Sequence, residues 1–263
     1  MLQLILFMLM GIAAALIVTG WQGYKDSPWE NFAFRKFARS YFFATIAGLI
    51  FYYLDTLKIL SFDNLGVLLL TILSIERAIG ELYKGFIRKK SHPEYVKLFE
   101  RLHIKFKSTT IRVITGILFA IVLTGAILIL LTQLITHILL LPSIMAGLIV
   151  GLIGGTLSAA GGAIKDSQFE GFRFKKFIRS PIVGMLGGLI LIRFSNNPLL
   201  LLLSVTGFER VVVELYKTFI LKQVRGIFEY QKPVYVFWLK NRWIFFVLYL
   251  IGALILILST ILT

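Results

Sequence analysis

The feature that most constrains this chain is a series of apolar stretches about twenty residues long. At ~1.5 Å rise per residue such a stretch crosses a bilayer core of roughly 30 Å. They fall near residues 2–22, 34–54, 65–86, 110–132, 138–163, 174–194, 198–220 and 242–262. In hydrocarbon each backbone N–H and C=O must be satisfied within its own segment, so runs of this length are expected to be helices. The expected fold is all-α, a polytopic helical membrane bundle with eight transmembrane helices. Composition excludes an ordinary soluble globule: 58% of the 263 residues are hydrophobic and 16% are charged, against about 45–50% and about 25% in soluble domains. The first span ends in Gly20-Trp21-Gln22 rather than a small-residue cleavage pattern, so it is expected to stay in the mature protein.

The chain also repeats itself. KDSPWENFAFRKFARS at Lys25 to Ser40 matches KDSQFEGFRFKKFIRS at Lys165 to Ser180, with ten of sixteen positions identical. ERAIGELYKGFI from Glu76 returns as ERVVVELYKTFI from Glu209, and HPEYV at His92 as KPVYV at Lys232. This predicts two tandem four-helix repeats, 1–134 and 135–263. Four spans each is an even number, so both repeats should insert in parallel orientation, related by a pseudo-two-fold axis along the membrane normal.

The net charge of +15 follows the same layout. Basic residues crowd the segments after spans 1, 3, 5 and 7, including Arg88, Lys89, Lys90, Lys97, Arg101, Lys105 and Lys107, which places those segments in the cytoplasm and both termini on the other side. The expected location is a cell's inner or plasma membrane. No soluble module exists to present basic and aromatic residues to nucleic acid, so none is expected as partner. Expected partners are membrane lipids, with anionic headgroups on the cytoplasmic side, and a homo-oligomer or larger membrane complex. In the segment 91–106, Ser91 and Glu94 bracket Pro93 as a capping box, and Tyr95, Phe99, Leu102 and Phe106 share one stripe, predicting an interfacial amphipathic helix.

The KDS blocks read as helix starts. Ser27 precedes Glu30, and Ser167 precedes Glu170, at capping-box spacing, with Pro28 at a first helical position. Arg35, Lys36 and Arg39, and in the second copy Lys175, Lys176 and Arg179, alternate with phenylalanines, a pattern for anchoring at headgroups. Helix N-terminal amides joined by Lys25, Asp26 and Ser27, or by Lys165, Asp166 and Ser167, would make an anion or lipid-phosphate cradle. Local pairing is the first expectation for Asp26 and Asp166, ahead of a hard cation bound with Glu30 or Glu170.

A sharper anomaly lies in spans 3 and 7. Only Leu65 to Ile75, and Pro198 to Phe208, separate the outer boundary from a Glu-Arg dipeptide, about 16 Å of helix. At that depth an ionised side chain costs about 2.5–3.5 kcal/mol on an insertion scale unless paired or wetted. Arg77 and Glu81, and Arg210 and Glu214, are four apart and can meet on one face, with Lys84 or Lys217 a turn further on. Glu76 and Glu209 have no such intrahelical partner. Either each reaches a cation on a neighbouring helix, as a buried lock fixing register, or the two line a watery site for a cation, a proton or a basic group.

Gly11, Ala15 and Thr19 in span 1 align with Gly151, Gly155 and Ala159 in span 5, and Gly147 extends the second series, small faces suited to close packing or to a gate. There is no cysteine, no HExxH pair among the histidines, no GxSxG with partners and no P-loop, so no catalytic residue, metal or cofactor is expected. The leading functional expectation is a small ion or solute transporter or channel with the Glu-Arg sites near mid-membrane. The alternatives are a non-catalytic scaffold or accessory subunit, and a membrane enzyme acting on lipid headgroups through Asp26, Glu30, Asp166 and Glu170.

Overall fold

The computed structural model describes residues 1–32, 34–83, 109–170, 172–223 and 232–263. The described residues are helical, without strands: α1 (Leu2–Glu30), α2 (Phe34–Thr56), α3 (Leu65–Leu82), α4 (Thr109–Ile138), α5 (Ser143–Glu170), α6 (Phe174–Leu191), α7 (Pro198–Glu214) with a π-helical continuation (Leu215–Ile220), α8 (Val236–Asn241) and α9 (Trp243–Ile261). The amphipathic segment expected at 91–106, and Lys84, Arg88, Lys89, Lys90, Lys97, Arg101, Lys105 and Lys107, lie outside the described residues.

α3 and α7 start alike. Asn64 caps α3 by accepting from the Val67 N–H at 3.0 Å, and Asn197 caps α7 by accepting from Leu199 N–H at 3.0 Å and Leu200 N–H at 3.1 Å. Each satisfies amides that a helix start leaves without a carbonyl. Pro198 follows its cap at the first position, where the missing N–H is no loss.

The capping-box expectation at the KDS blocks is corrected. α1 runs through Lys25, Asp26, Ser27 and Pro28 to Glu30, and α5 runs through Lys165, Asp166 and Ser167 to Glu170. These residues end long helices rather than begin new ones. Pro28 sits so near the end of α1 that its ring removes one ladder bond without breaking the helix. The stop comes at Asn31, at φ 65°, whose side chain accepts from Phe32 N–H at 2.7 Å and from the Trp238 indole N–H at 2.8 Å. The helix N-terminal amides that the anion cradle needed are therefore absent there. α4 continues to Ile138, and the turn before α5 spans 139–142.

Close helix crossings organise the bundle. A Cβ on Gly11 of α1 would lie 2.5 Å from the Ala44 carbonyl oxygen of α2, and one on Gly48 of α2 would lie 2.5 Å from the Phe7 oxygen. In α5 and α6 the corresponding contacts run between Gly151 and Gly184 and between Gly147 and Gly188, with Gly155 against Ser180. The small faces thus serve as packing surfaces, where missing side chains let backbones touch. α3 packs on α1 and α2, and α7 on α5 and α6. α9 packs against α1 and α3, whereas α4 touches α5 and α7. α3 and α7 cross each other at the centre, where the Ser74 and Thr206 hydroxyls lie 2.6 Å apart and Gly207 abuts the Leu70 carbonyl.

Among the described residues four helices are long and apolar enough to cross a membrane: Leu2–Glu30, Phe37–Thr56, Ser143–Ala163 and Trp243–Ile261. They fit a membrane protein, as do apolar side chains left exposed along them, such as Ile46 and Ile50 on α2 and Leu250, Leu254 and Ile257 on α9. α3, α6 and α7 are interrupted by charge, and the length of α7 as an α-helix is 17 residues. Substituting valine at Gly188 or Gly151 should lower unfolding stability in detergent by about 1–3 kcal/mol through overpacking. Gly161, with nothing within 4 Å of its Cβ position, should accept alanine with no loss of melting temperature; equal effects at the two kinds of site would contradict this packing.

Candidate functional site

The charges carried by α3 and α7 separate into two environments. Glu209 stands eleven residues beyond Pro198, about 16 Å along the axis. Its exposure is 0%, and neither carboxylate oxygen accepts a hydrogen bond among the described residues. The cation facing it is its own neighbour, with Arg210 Nε 3.8 Å from Oε2, beyond hydrogen-bonding distance. Glu76 on α3 is also buried, at 3% exposure.

Glu214 lies in the opposite situation. Lys25 Nζ of α1 reaches its Oε2 at 2.6 Å, Lys217 Nζ its Oε1 at 3.1 Å, and Arg210 Nη1 approaches Oε1 at 3.9 Å. The Thr218 hydroxyl donates to Oε2 at 3.0 Å. Lys217 and Thr218 come from the π-helical turns that follow Glu214. The Lys25 and Glu214 side chains are only 10% and 8% exposed. The KDS cation therefore does meet an acid on a neighbouring helix, but the acid is Glu214, not Glu209.

On α3, Arg77 Nη2 donates to Glu81 Oε1 at 3.1 Å, as its four-residue spacing requires, and the guanidinium stacks over Trp21 of α1 at 5.7 Å. Arg39 lies over Tyr83 at 4.7 Å and Arg179 over Tyr216 at 5.8 Å. Aromatic faces thus hold these two cations against the ends of α3 and α7. Arg35 and Lys175 are exposed and Lys176 is half-buried. Asp26 and Ser27 are buried at the end of α1. The side chains of Lys36, Lys165, Asp166 and Ser167 lie outside what is described. The structure therefore joins Lys25 to Arg210, Glu214 and Lys217, and does not bring Arg35 or Lys175 into that group.

Sequence reasoning missed Tyr249, Lys222, Gln223 and Arg242. The Tyr249 hydroxyl donates to the Val211 carbonyl at 2.5 Å and fastens α9 to α7. Arg242 lies over Tyr24 at 4.9 Å. With Lys222, Gln223, Lys25 and Trp29 these two line a recess at the end of α1. The available signal was a row of cations and aromatics, Lys240, Arg242 and Trp243, at the start of the last span.

Removing one member of a buried ion pair costs about 3–5 kcal/mol. Glu214→Leu removes the acid that Lys25, Lys217 and Arg210 share and should lie in that range, whereas Lys25→Met leaves Glu214 with Lys217 and should cost about 1–3 kcal/mol. The double variant should recover about 1–3 kcal/mol relative to the sum, measured by unfolding in detergent. Strict additivity would mean that the Lys25–Glu214 contact does not exist in solution. No protein-family model matches the chain, and searches of curated proteins and of solved structures find no match either.

Proposed function

We propose that this chain is an eight-span integral membrane protein, built from two tandem four-helix repeats in parallel orientation, that moves a small cation or protons across the bilayer. Glu209 is the carrying residue and Glu76 its counterpart in the first repeat. The observation that carries this reading is the burial of Glu209 without a hydrogen-bond donor among the described residues. A carboxylate so placed in a helical bundle is costly unless a proton or a cation joins it, which is why intramembrane acids mark ion and proton pathways.

The duplication is supported by contacts that recur at matching positions. The Asn64 and Asn197 caps, the Arg39–Tyr83 and Arg179–Tyr216 stacks, the Arg77–Glu81 and Arg210–Glu214 pairs, and the Gly11–Ala44 and Gly151–Gly184 crossings fall where the internal alignment pairs them. The last helix of each repeat then packs on the other repeat, α9 on α1 and α3, α4 on α5 and α7. Such an exchange ties the repeats together around the α3–α7 crossing. The cluster around Glu214 favours a second reading, a static scaffold in which buried charges only fix helix register.

Flux in liposomes separates the two. Purified protein should pass H⁺, Na⁺ or K⁺ down an imposed gradient, and Glu209→Gln should reduce the rate at least about tenfold, the effect of 1.4 kcal/mol, in a protein that still melts cooperatively. Glu76→Gln should reduce it as well. Flux unchanged by Glu209→Gln removes that residue from the path. Absence of flux for all three ions contradicts transport and leaves the scaffold.

A further inference from the structure

The recess at the end of α1 is lined by Tyr24, Lys25, Trp29, Lys222, Gln223 and Arg242, and is open on one side. Among the described residues that line it, none is an acid and Lys25, Lys222 and Arg242 are cations. Glu214 already faces Lys25, Lys217 and Arg210. Lys222 and Arg242 add two cations that make no ion pair among the described residues. Such an excess, gathered in one concave place, is unfavourable by itself and favourable around an anion.

The recess is also constructed rather than incidental. Tyr24 is fixed from one side by Arg242, 4.9 Å over its ring, and from another by Phe219, edge-on at 4.9 Å. Lys222 is held at φ 49°, a left-handed conformation that costs a side-chain-bearing residue about 1–2 kcal/mol. The flanking amides keep it there, Leu221 N–H donating to Tyr216 and Gln223 N–H to Lys217, both at 2.9 Å. The recess is shallow, so a bound group would sit at its open mouth, in reach of the donors around the rim. Lysine ammonium, arginine guanidinium and glutamine amide are its donors, and tyrosine and tryptophan are common at the headgroup level of membranes.

We propose that this recess binds a phosphate group, with Lys222, Arg242 and Gln223 as principal donors and Lys25 shared between the phosphate and Glu214. The site differs from the cradle expected in the sequence: it uses no helix N-terminal amides, and most of its donors come from the second half of the chain. It stands whether or not the protein carries ions. A phospholipid headgroup and free phosphate offer the same chemistry.

The test measures the full chain in detergent by native mass spectrometry with phosphatidylglycerol or phosphatidylcholine, and by thermal melting with inorganic phosphate. Retention of phosphatidylglycerol without a response to inorganic phosphate identifies a lipid headgroup; stabilisation by inorganic phosphate identifies the free anion. In either case Lys222→Gln with Arg242→Gln should weaken binding at least about tenfold, as expected for lost charge-assisted bonds. Lys58→Gln, an exposed lysine that does not line the recess, should leave it unchanged. Lys222→Gln alone, at an exposed side chain, covers the case in which Arg242→Gln does not fold. Binding of neither probe, or binding equal in the wild-type and recess variants, overturns the proposal.

Discussion

A bundle of apolar helices can hold ionised side chains only where other helices surround them, and in this chain that place is the crossing of α3 and α7. Both helices are enclosed by neighbours, so Leu68, Leu69, Ile72, Leu73, Leu201 and Ser204 have no exposed surface. The hydroxyls of Ser74 and Thr206 meet at 2.6 Å, and Gly207 lets the α7 backbone close on Leu70. Glu76, Arg77, Glu209 and Arg210 follow directly along the two helices. The outer helices can then remain apolar, exposing Leu, Ile and Phe along their length.

Within that shelter the acids have different fates for a geometric reason. Glu214 lies where the α-helix gives way to π-helical turns, and the wider turn supplies Lys217 and Thr218 while Lys25 arrives from α1. It is satisfied, and its work is cohesion between the first and last thirds of the sequence. Glu209, five residues earlier in the chain, has an adjacent arginine at 3.8 Å and no donor among the described residues. π-helical turns are rare and frequently accompany functional sites. Here they follow both acids and supply Lys217 and Thr218 to Glu214 but nothing to Glu209, and the proposed transport rests on the unlocked carboxylate.

Much of this was legible in the sequence. The starts of α3 and α7 at Leu65 and Pro198, and the meeting of Arg77 with Glu81, follow from apolar length and four-residue spacing, which are local rules. The end of α1 was not. Ser27, Pro28 and Glu30 carry a helix-start pattern, yet the preceding helix continues through it, held at its end by Val234 and Tyr235 N–H groups donating to the Pro28 carbonyl. That support comes from 206 and more residues later in the chain and leaves no local mark. The choice of Glu214 rather than Glu209 by Lys25 is likewise tertiary, since both acids lie on one helix and only the placement of α1 decides between them. Arg242 and Lys222 escaped notice because neither belongs to the repeated blocks.

The most direct test is a cross-link at the α3–α7 crossing. The chain has no cysteine, so Ser74→Cys with Thr206→Cys introduces the pair alone, at positions whose side-chain oxygens are 2.6 Å apart, near the ~2.0 Å of a sulfur–sulfur bond. A protease site placed between Leu139 and Pro142 divides the chain between them. After mild oxidation in native membranes, the cut halves should stay joined on a non-reducing gel and separate on reduction. Halves that separate whether or not they were oxidised would mean that α3 and α7 do not cross there, and the sheltered site between them would not exist.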